Sequence, residues 1–124
     1  MVGGTGEPEG GAGVKVLICG DRNWAYPEAI RREILAHHLN PATDIIIEGG
    51  ARGADTLAGI IAKVMGFTVQ VFEAPAGPIR NQLMLDQQPD LIFAFHANIE
   101  QSKGTKNLIT LAEKQGFRVE LFTS

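Results

Sequence analysis

Five short runs built mainly from Val, Ile, Leu and Phe alternate along this chain with four stretches whose apolar residues recur at helical spacing. The runs are Lys15 to Cys19, Ile45 to Glu48, Thr68 to Phe72, Asp90 to Phe95 and Arg118 to Phe122. Strands that are nearly continuous in apolar residues have no solvent face, and helices between them act as crossovers. The pattern therefore predicts an α/β fold, a parallel five-stranded sheet covered on both faces. Right-handed crossovers make it a doubly wound, Rossmann-like sheet, for which we expect the order 3-2-1-4-5. The helix from Pro27 to about Leu39 has proline in its first turn and Asn40-Pro41 as its stop. The next covers 55–65 and is closed by Gly66, a short one spans about Ile79 to Asp86, and the last runs from about Thr105 to Gln115 before Gly116.

A chain of 124 residues with 44% apolar content supports one core and one domain. Residues 1–13 hold six glycines and no large apolar side chain beyond Met1 and Val2, so they read as a flexible leader before a domain over 14–124. The net charge is −3, and Glu7 and Glu9 of the leader account for most of it. A basic stripe suited to duplex DNA is not evident. Cys19 is the one cysteine, which excludes an internal disulfide and reads as a small buried side chain at a strand end. With no signal-peptide pattern and no long apolar segment, a soluble cytoplasmic protein is expected, with no membrane partner.

In a doubly wound sheet, ligands bind beyond the carboxyl ends of the strands. After the second strand comes Glu48-Gly49-Gly50-Ala51-Arg52-Gly53-Ala54-Asp55, leading into Leu57, Ile60, Ile61, Val64 and Met65 at the spacing of one helix face. A glycine turn between a buried strand and a helix leaves backbone N–H groups at the positive end of the helix dipole. Gly49, Gly50 and Gly53 let an anion approach the backbone, and Arg52 adds a forked cationic donor. The same sequence also suits a plain tight connection.

Three other segments reach that edge. Gly20-Asp21-Arg22-Asn23-Trp24 follows the first strand, Gly77-Pro78-Ile79-Arg80-Asn81 follows the third, and His96 to Thr105 follows the fourth. Arg22, Arg52 and Arg80 are thus expected to converge, with Asp21, Asn23, Asp55 and Asn81 as polar partners. Three arginines over glycine-rich backbone suit a phosphate-bearing small molecule. Trp24 reads either as a base-stacking residue or as a cap on the core beside Tyr26. His96 reads as a polar residue at a strand end, and His37 and His38 as cations near a helix C-terminus. No Cys, His and carboxylate spacing suggests a metal, and Ser102 lacks the setting of a nucleophile.

Taken in order, Gly20-Asp21-Arg22, the segment from Glu48 to Asp55, Gly77-Pro78-Ile79-Arg80-Asn81 with Met84, Pro89-Asp90-Leu91 and Lys103-Gly104-Thr105 resemble the YspA/YpsA-related branch of the SLOG superfamily. That superfamily also contains the DNA-processing protein DprA and the LOG phosphoribohydrolases. The resemblance spans Val14 to the C-terminus. It implies a Rossmann-like fold and a nucleotide or nucleotide-derived ligand. It implies no further cofactor and leaves open a homodimer or higher homo-oligomer.

Two departures bear on activity. LOG enzymes carry Pro-Gly-Gly-x-Gly-Thr-x-x-Glu, whose Glu acts with an upstream Arg. Here Arg80 matches the arginine, but the glycine motif is reduced to Ser102-Lys103-Gly104-Thr105 and Leu108 stands at the glutamate position. The segment from Phe72 to Gly77 is also short for the branch, and His96 to Gln101 replaces glycine-rich sequence. A sensor or accessory module binding a phosphate ligand is therefore the leading expectation. Its site would comprise Gly20, Asp21, Arg22, Gly49, Gly50, Arg52, Gly53, Asp55, Arg80, Asn81, Gly104 and Thr105. Hydrolysis of a nucleoside-monophosphate N-glycosidic bond is the alternative, with Asp21, Asp55 or Glu48 supplying the carboxylate. DprA-like single-strand DNA binding is a second alternative, against which near-neutral charge and few aromatics count.

Overall fold

A computed structural model of the chain describes residues 13–73, 75 and 77–124. Of the expected leader, only Gly13 is among them. The element order is β1 (Lys15–Gly20), α1 (Pro27–Ala36), β2 (Ile45–Glu48), α2 (Ala54–Val64), β3 (Thr68–Val71), α3 (Pro78–Leu85), β4 (Leu91–Phe95), a 3₁₀ turn (Ile99–Gln101), α4 (Gly104–Lys114) and β5 (Val119–Phe122). The sheet runs β3-β2-β1-β4-β5 with every pair parallel, which is the expected 3-2-1-4-5 order.

Alternate residues of each inner strand point to opposite faces and build two separate cores. Val16, Ile18, Ile46, Phe93 and Phe95 pack with Ile30 and Ile34 of α1 and with Ala54, Ala58 and Ala62 of α2. The three alanines recur every fourth residue, so α2 lies close on the sheet. Leu17, Cys19, Ile47, Ile92 and Ala94 face the other way, against Met84 and Leu85 of α3 and Leu108 and Ala112 of α4. The central strand β1 is buried from Val16 to Gly20, whereas the edge strands β3 and β5 hold no fully buried residue.

The first helix is shorter than its sequence suggests. It ends at Ala36, and His38 turns out with φ +55. The stop signal at Asn40-Pro41 lies downstream, but Asp44 reaches back to accept the N–H groups of Asn40 (2.6 Å) and Val14 (2.9 Å), which fixes the connection early. His37 packs its ring on Phe93 at 4.6 Å and bridges the Glu33 carbonyl (2.8 Å) to the Glu120 carboxylate (3.2 Å), tying α1 to β5. Trp24 is buried, edge-on to Tyr26 and tilted against Phe95, with its indole N–H donated to the Tyr26 carbonyl. It caps the core. Among the described residues, no helix is long and apolar enough to cross a membrane.

Candidate functional site

A cavity of about 670 Å³ opens at the carboxyl ends of β1, β2 and β4. It is walled by the three strand-to-helix loops and by the first turns of α3 and α4. Nine of the sequence-expected residues line it: Gly20, Asp21, Arg22, Arg52, Asp55, Arg80, Asn81, Gly104 and Thr105. Asn23 lines it as well. Cys19, Met84 and Leu108 supply apolar floor, and His96, Gln101, Ser102 and Lys103 complete the wall.

The remaining three, Gly49, Gly50 and Gly53, do not line the cavity. The N–H of Gly49 is donated to Asp55 Oδ2 at 3.0 Å, and that of Gly50 goes to Glu48 Oε1. The turn thus commits its first two glycine donors to its own carboxylates. Glycine at these positions admits protein atoms. A Cβ on Gly49 would stand 2.8 Å from Asp55 Oδ2 and 3.2 Å from Arg80 Nε, and one on Gly53 would overlap the Asp21 carbonyl oxygen. Behind the turn, Gly59 of α2 makes room for the Glu48 carboxylate.

Two carboxyl groups are therefore buried where α2 begins. Burial, and then repulsion from Glu48, push Asp55 up to about 7, although the N–H groups of Gly49 and Ala51 and the Arg80 guanidinium oppose the rise. Burial also raises Glu48 from its ordinary value, opposed chiefly by the Gly50 N–H. The Cys19 thiol is pushed well up by burial and further by Asp55, so it sits protonated and unreactive. Arg80 Nη1 donates to the Gly49 carbonyl at 3.1 Å, while its buried Nε has no hydrogen-bond partner among the described residues.

Four cationic side chains face this cavity: Arg22, Arg52, Arg80 and Lys103. Among the described residues, none of them has a carboxylate within 4.0 Å. Among the described residues, only Asp21 and the partly protonated Asp55 line it with the opposite sign. At the rim, Asn81 Nδ2 donates to Asn107 Oδ1 at 2.9 Å, which locks α3 to α4, and Ser102 Oγ accepts the N–H groups of Thr105 (3.1 Å) and Lys106 (3.2 Å). Among the described residues, no cluster of His, Cys, Asp and Glu is suited to hold a metal ion.

His96, Lys103 and Leu108 are additions to the site expected from sequence. The signal for His96 is its place as the first polar residue after a buried strand on the ligand edge, and sequence alone does not distinguish that from an ordinary strand end. Leu108, at the position of the LOG glutamate, is buried and forms part of the cavity floor. Its apolar side chain offers no proton-transfer group there.

The family profile of YspA and cpYpsA-related SLOG proteins, called YAcAr, matches residues 14–76. The chain is also 30% identical to the Gene 61 protein of Mycobacterium phage D29, over 85% of this chain and 93% of that protein. No solved structure matches it.

Proposed function

The chain belongs to the YspA, cpYpsA-related SLOG family, and from that premise we propose that its cavity binds a nucleotide or nucleotide-derived ligand through the phosphate, in a sensing or accessory role. One observation carries this reading: four cationic side chains around one cavity, none with a carboxylate within 4.0 Å among the described residues. Unneutralised cations on a sheet edge where α/β folds take ligands favour a polyanionic group. Arg80 is the principal phosphate donor, because it is half-buried and its Nε lacks a partner among the described residues. Arg22 and Arg52 are exposed and act at the mouth.

Calorimetry with nucleoside monophosphates tests the reading. We expect Arg80→Ala to weaken binding about tenfold to hundredfold, the size of a charge-assisted hydrogen bond in a partly buried site. Arg52→Ala should cost less, about threefold, because its guanidinium is solvated. Unchanged affinity in both variants would remove the phosphate site.

A second reading has one observation in its favour. Asp55 lines the cavity and holds its proton to about pH 7, as a general acid for a departing base must. Hydrolysis of a nucleoside-monophosphate N-glycosidic bond would then use Asp55, in the absence of a glutamate at position 108. Chromatographic detection of free base, lost in Asp55→Asn, would support it. With Leu108 in place we expect no steady turnover.

A further inference from the structure

Asp21 and His96 form a pair that the electrostatics of the cavity do not explain. Asp21 is held on three sides. Its N–H donates to the Phe95 carbonyl (2.8 Å), its carbonyl accepts from Trp24 (3.0 Å) and Ala54 (3.1 Å), and its Oδ1 accepts the Asn23 N–H (2.9 Å). Only Oδ2 is left toward the cavity. His96 is buried and equally fixed. Its N–H donates to the Phe122 carbonyl at 2.9 Å, and its Nδ1 accepts the N–H of Asn98 at 3.0 Å. With Nδ1 accepting, the ring hydrogen lies on Nε2.

That Nε2 stands 4.0 Å from Asp21 Oδ2. The gap is too long for a hydrogen bond. It matches two atoms that each lie about 2.8 Å from one shared oxygen, with an angle of about 90° at that oxygen. The two atoms are complementary: one accepts and the other donates. A phosphate oxygen fails the first contact, because it would face the carboxylate. A carbonyl cannot donate to Asp21, and an amino group cannot accept from His96. A hydroxyl does both, and so does the water it would displace.

We propose that Asp21 and His96 together read one sugar hydroxyl of the ligand, making this a site for phosphorylated ribosyl compounds that rejects the analogue lacking that hydroxyl. The inference rests on the phosphate-ligand reading above and names the chemistry at the other end of the same molecule. Asp21 and His96 are specificity residues; the cations hold the phosphate. A site built around a polar group discriminates against its absence, because the buried His96 and the half-buried Asp21 are then left unpaired.

The test is calorimetry on the full chain with the four ribonucleoside 5′-monophosphates, followed by the 2′-deoxy and 3′-deoxy counterparts of the tightest. Wild type should lose at least about tenfold in affinity for one of the two deoxy compounds. Asp21→Asn keeps the acceptor for Asn23 but presents a donor to His96. It should reduce that ratio to within about threefold, mainly by weakening the ribonucleotide. His96→Gln should do the same, and thermal melting of Asp21→Asn provides a folded comparison if His96→Gln does not fold. If wild type binds the ribonucleotide and both deoxy compounds alike, or if Asp21→Asn keeps the discrimination, this inference falls while the phosphate site stands. If no nucleotide binds, both fall together.

Discussion

Two loops on the same edge of the sheet use glycine in opposite ways. The turn from Glu48 to Asp55 is the richest in glycine, yet the N–H groups of Gly49 and Gly50 are spent on its own carboxylates and its glycines admit protein atoms. The loop from His96 to Thr105 has a single glycine, Gly104, and a Cβ there would meet nothing within 4 Å. That loop supplies His96, Gln101, Ser102, Lys103, Gly104 and Thr105 to the cavity wall. The lesson is that glycine content marks where backbone must pass closely, and the geometry decides whether protein or ligand fills the space.

The largest effect should come from forcing a side chain into the closed turn. Gly53 has φ +75, and a Cβ would overlap the Asp21 carbonyl oxygen and lie 2.5 Å from the Arg22 carbonyl carbon. Both neighbours are backbone and cannot swing away. Gly53→Val should cost at least about 4 kcal/mol, a size reserved for such unrelievable clashes and strain. Urea unfolding would measure it. A valine variant of near-wild-type stability would mean that the glycine turn is not packed against the Asp21–Arg22 backbone as tightly as the comparison requires.

The buried carboxyls of the closed turn give it a pH dependence. Asp55 titrates near 3.8 when unperturbed and about 7 in the fold, so between those values the folded state binds more protons than the unfolded state. Stability contributed by this group therefore falls as pH rises through that window and levels off above about 7. Asp55→Asn removes the titration and still accepts the Gly49 N–H. Its melting temperature should vary less from pH 5 to 7, and at pH 8 it should exceed wild type in stability by an amount on the order of a few kcal/mol. Parallel profiles for the two proteins would show that burial does not tax Asp55.

The fold is open to reading because its signals are repeated. Lys15 to Cys19, Ile45 to Glu48 and Asp90 to Phe95 each announce a buried strand, and the intervening helices permit few topologies. The site is open in part. A strand end places a residue at the ligand edge whatever its side chain does next, so Arg22, Arg52 and Arg80 can be assigned to one region from order alone. What Gly49 and Gly50 donate to is hidden, because it depends on the rotamers of Asp55 and Glu48. The Glu48 rotamer follows from the space that Gly59 leaves on α2, eleven residues beyond it. His96 is hidden for a similar reason: its hydrogen-bonding role is set by the Asn98 N–H, a feature of the loop's path and not of its composition.

The open loop should answer to substitution through binding and not through stability. Gly104 begins α4, and a larger residue there meets empty space beside the cavity. Gly104→Val should change unfolding free energy by less than about 1 kcal/mol, because glycine is already a poor helix former. Nucleotide affinity should fall by about tenfold, the cost of overfilling a fitted site. Loss of stability without loss of affinity would reverse the assignment of the two loops.

The smallest effect on binding, and the sharpest discrimination, lies with Gly50. Its φ of +77 makes any side chain strained, and a Cβ would stand 2.6 Å from Glu73 Cγ, a flexible side chain that can move. Gly50→Ala should therefore destabilise the fold by about 1–2 kcal/mol, the cost of a left-handed conformation for an L-residue. The added methyl points at Glu73 and the Gly50 N–H is already committed to Glu48, so nucleotide affinity should stay within about twofold of wild type. Calorimetry and urea unfolding on one preparation would separate the two quantities. A tenfold loss of affinity would mean that Glu48 releases the Gly50 N–H to the phosphate on binding. The glycine turn would then be a ligand loop after all, with its carboxylates standing in for the anion until it arrives.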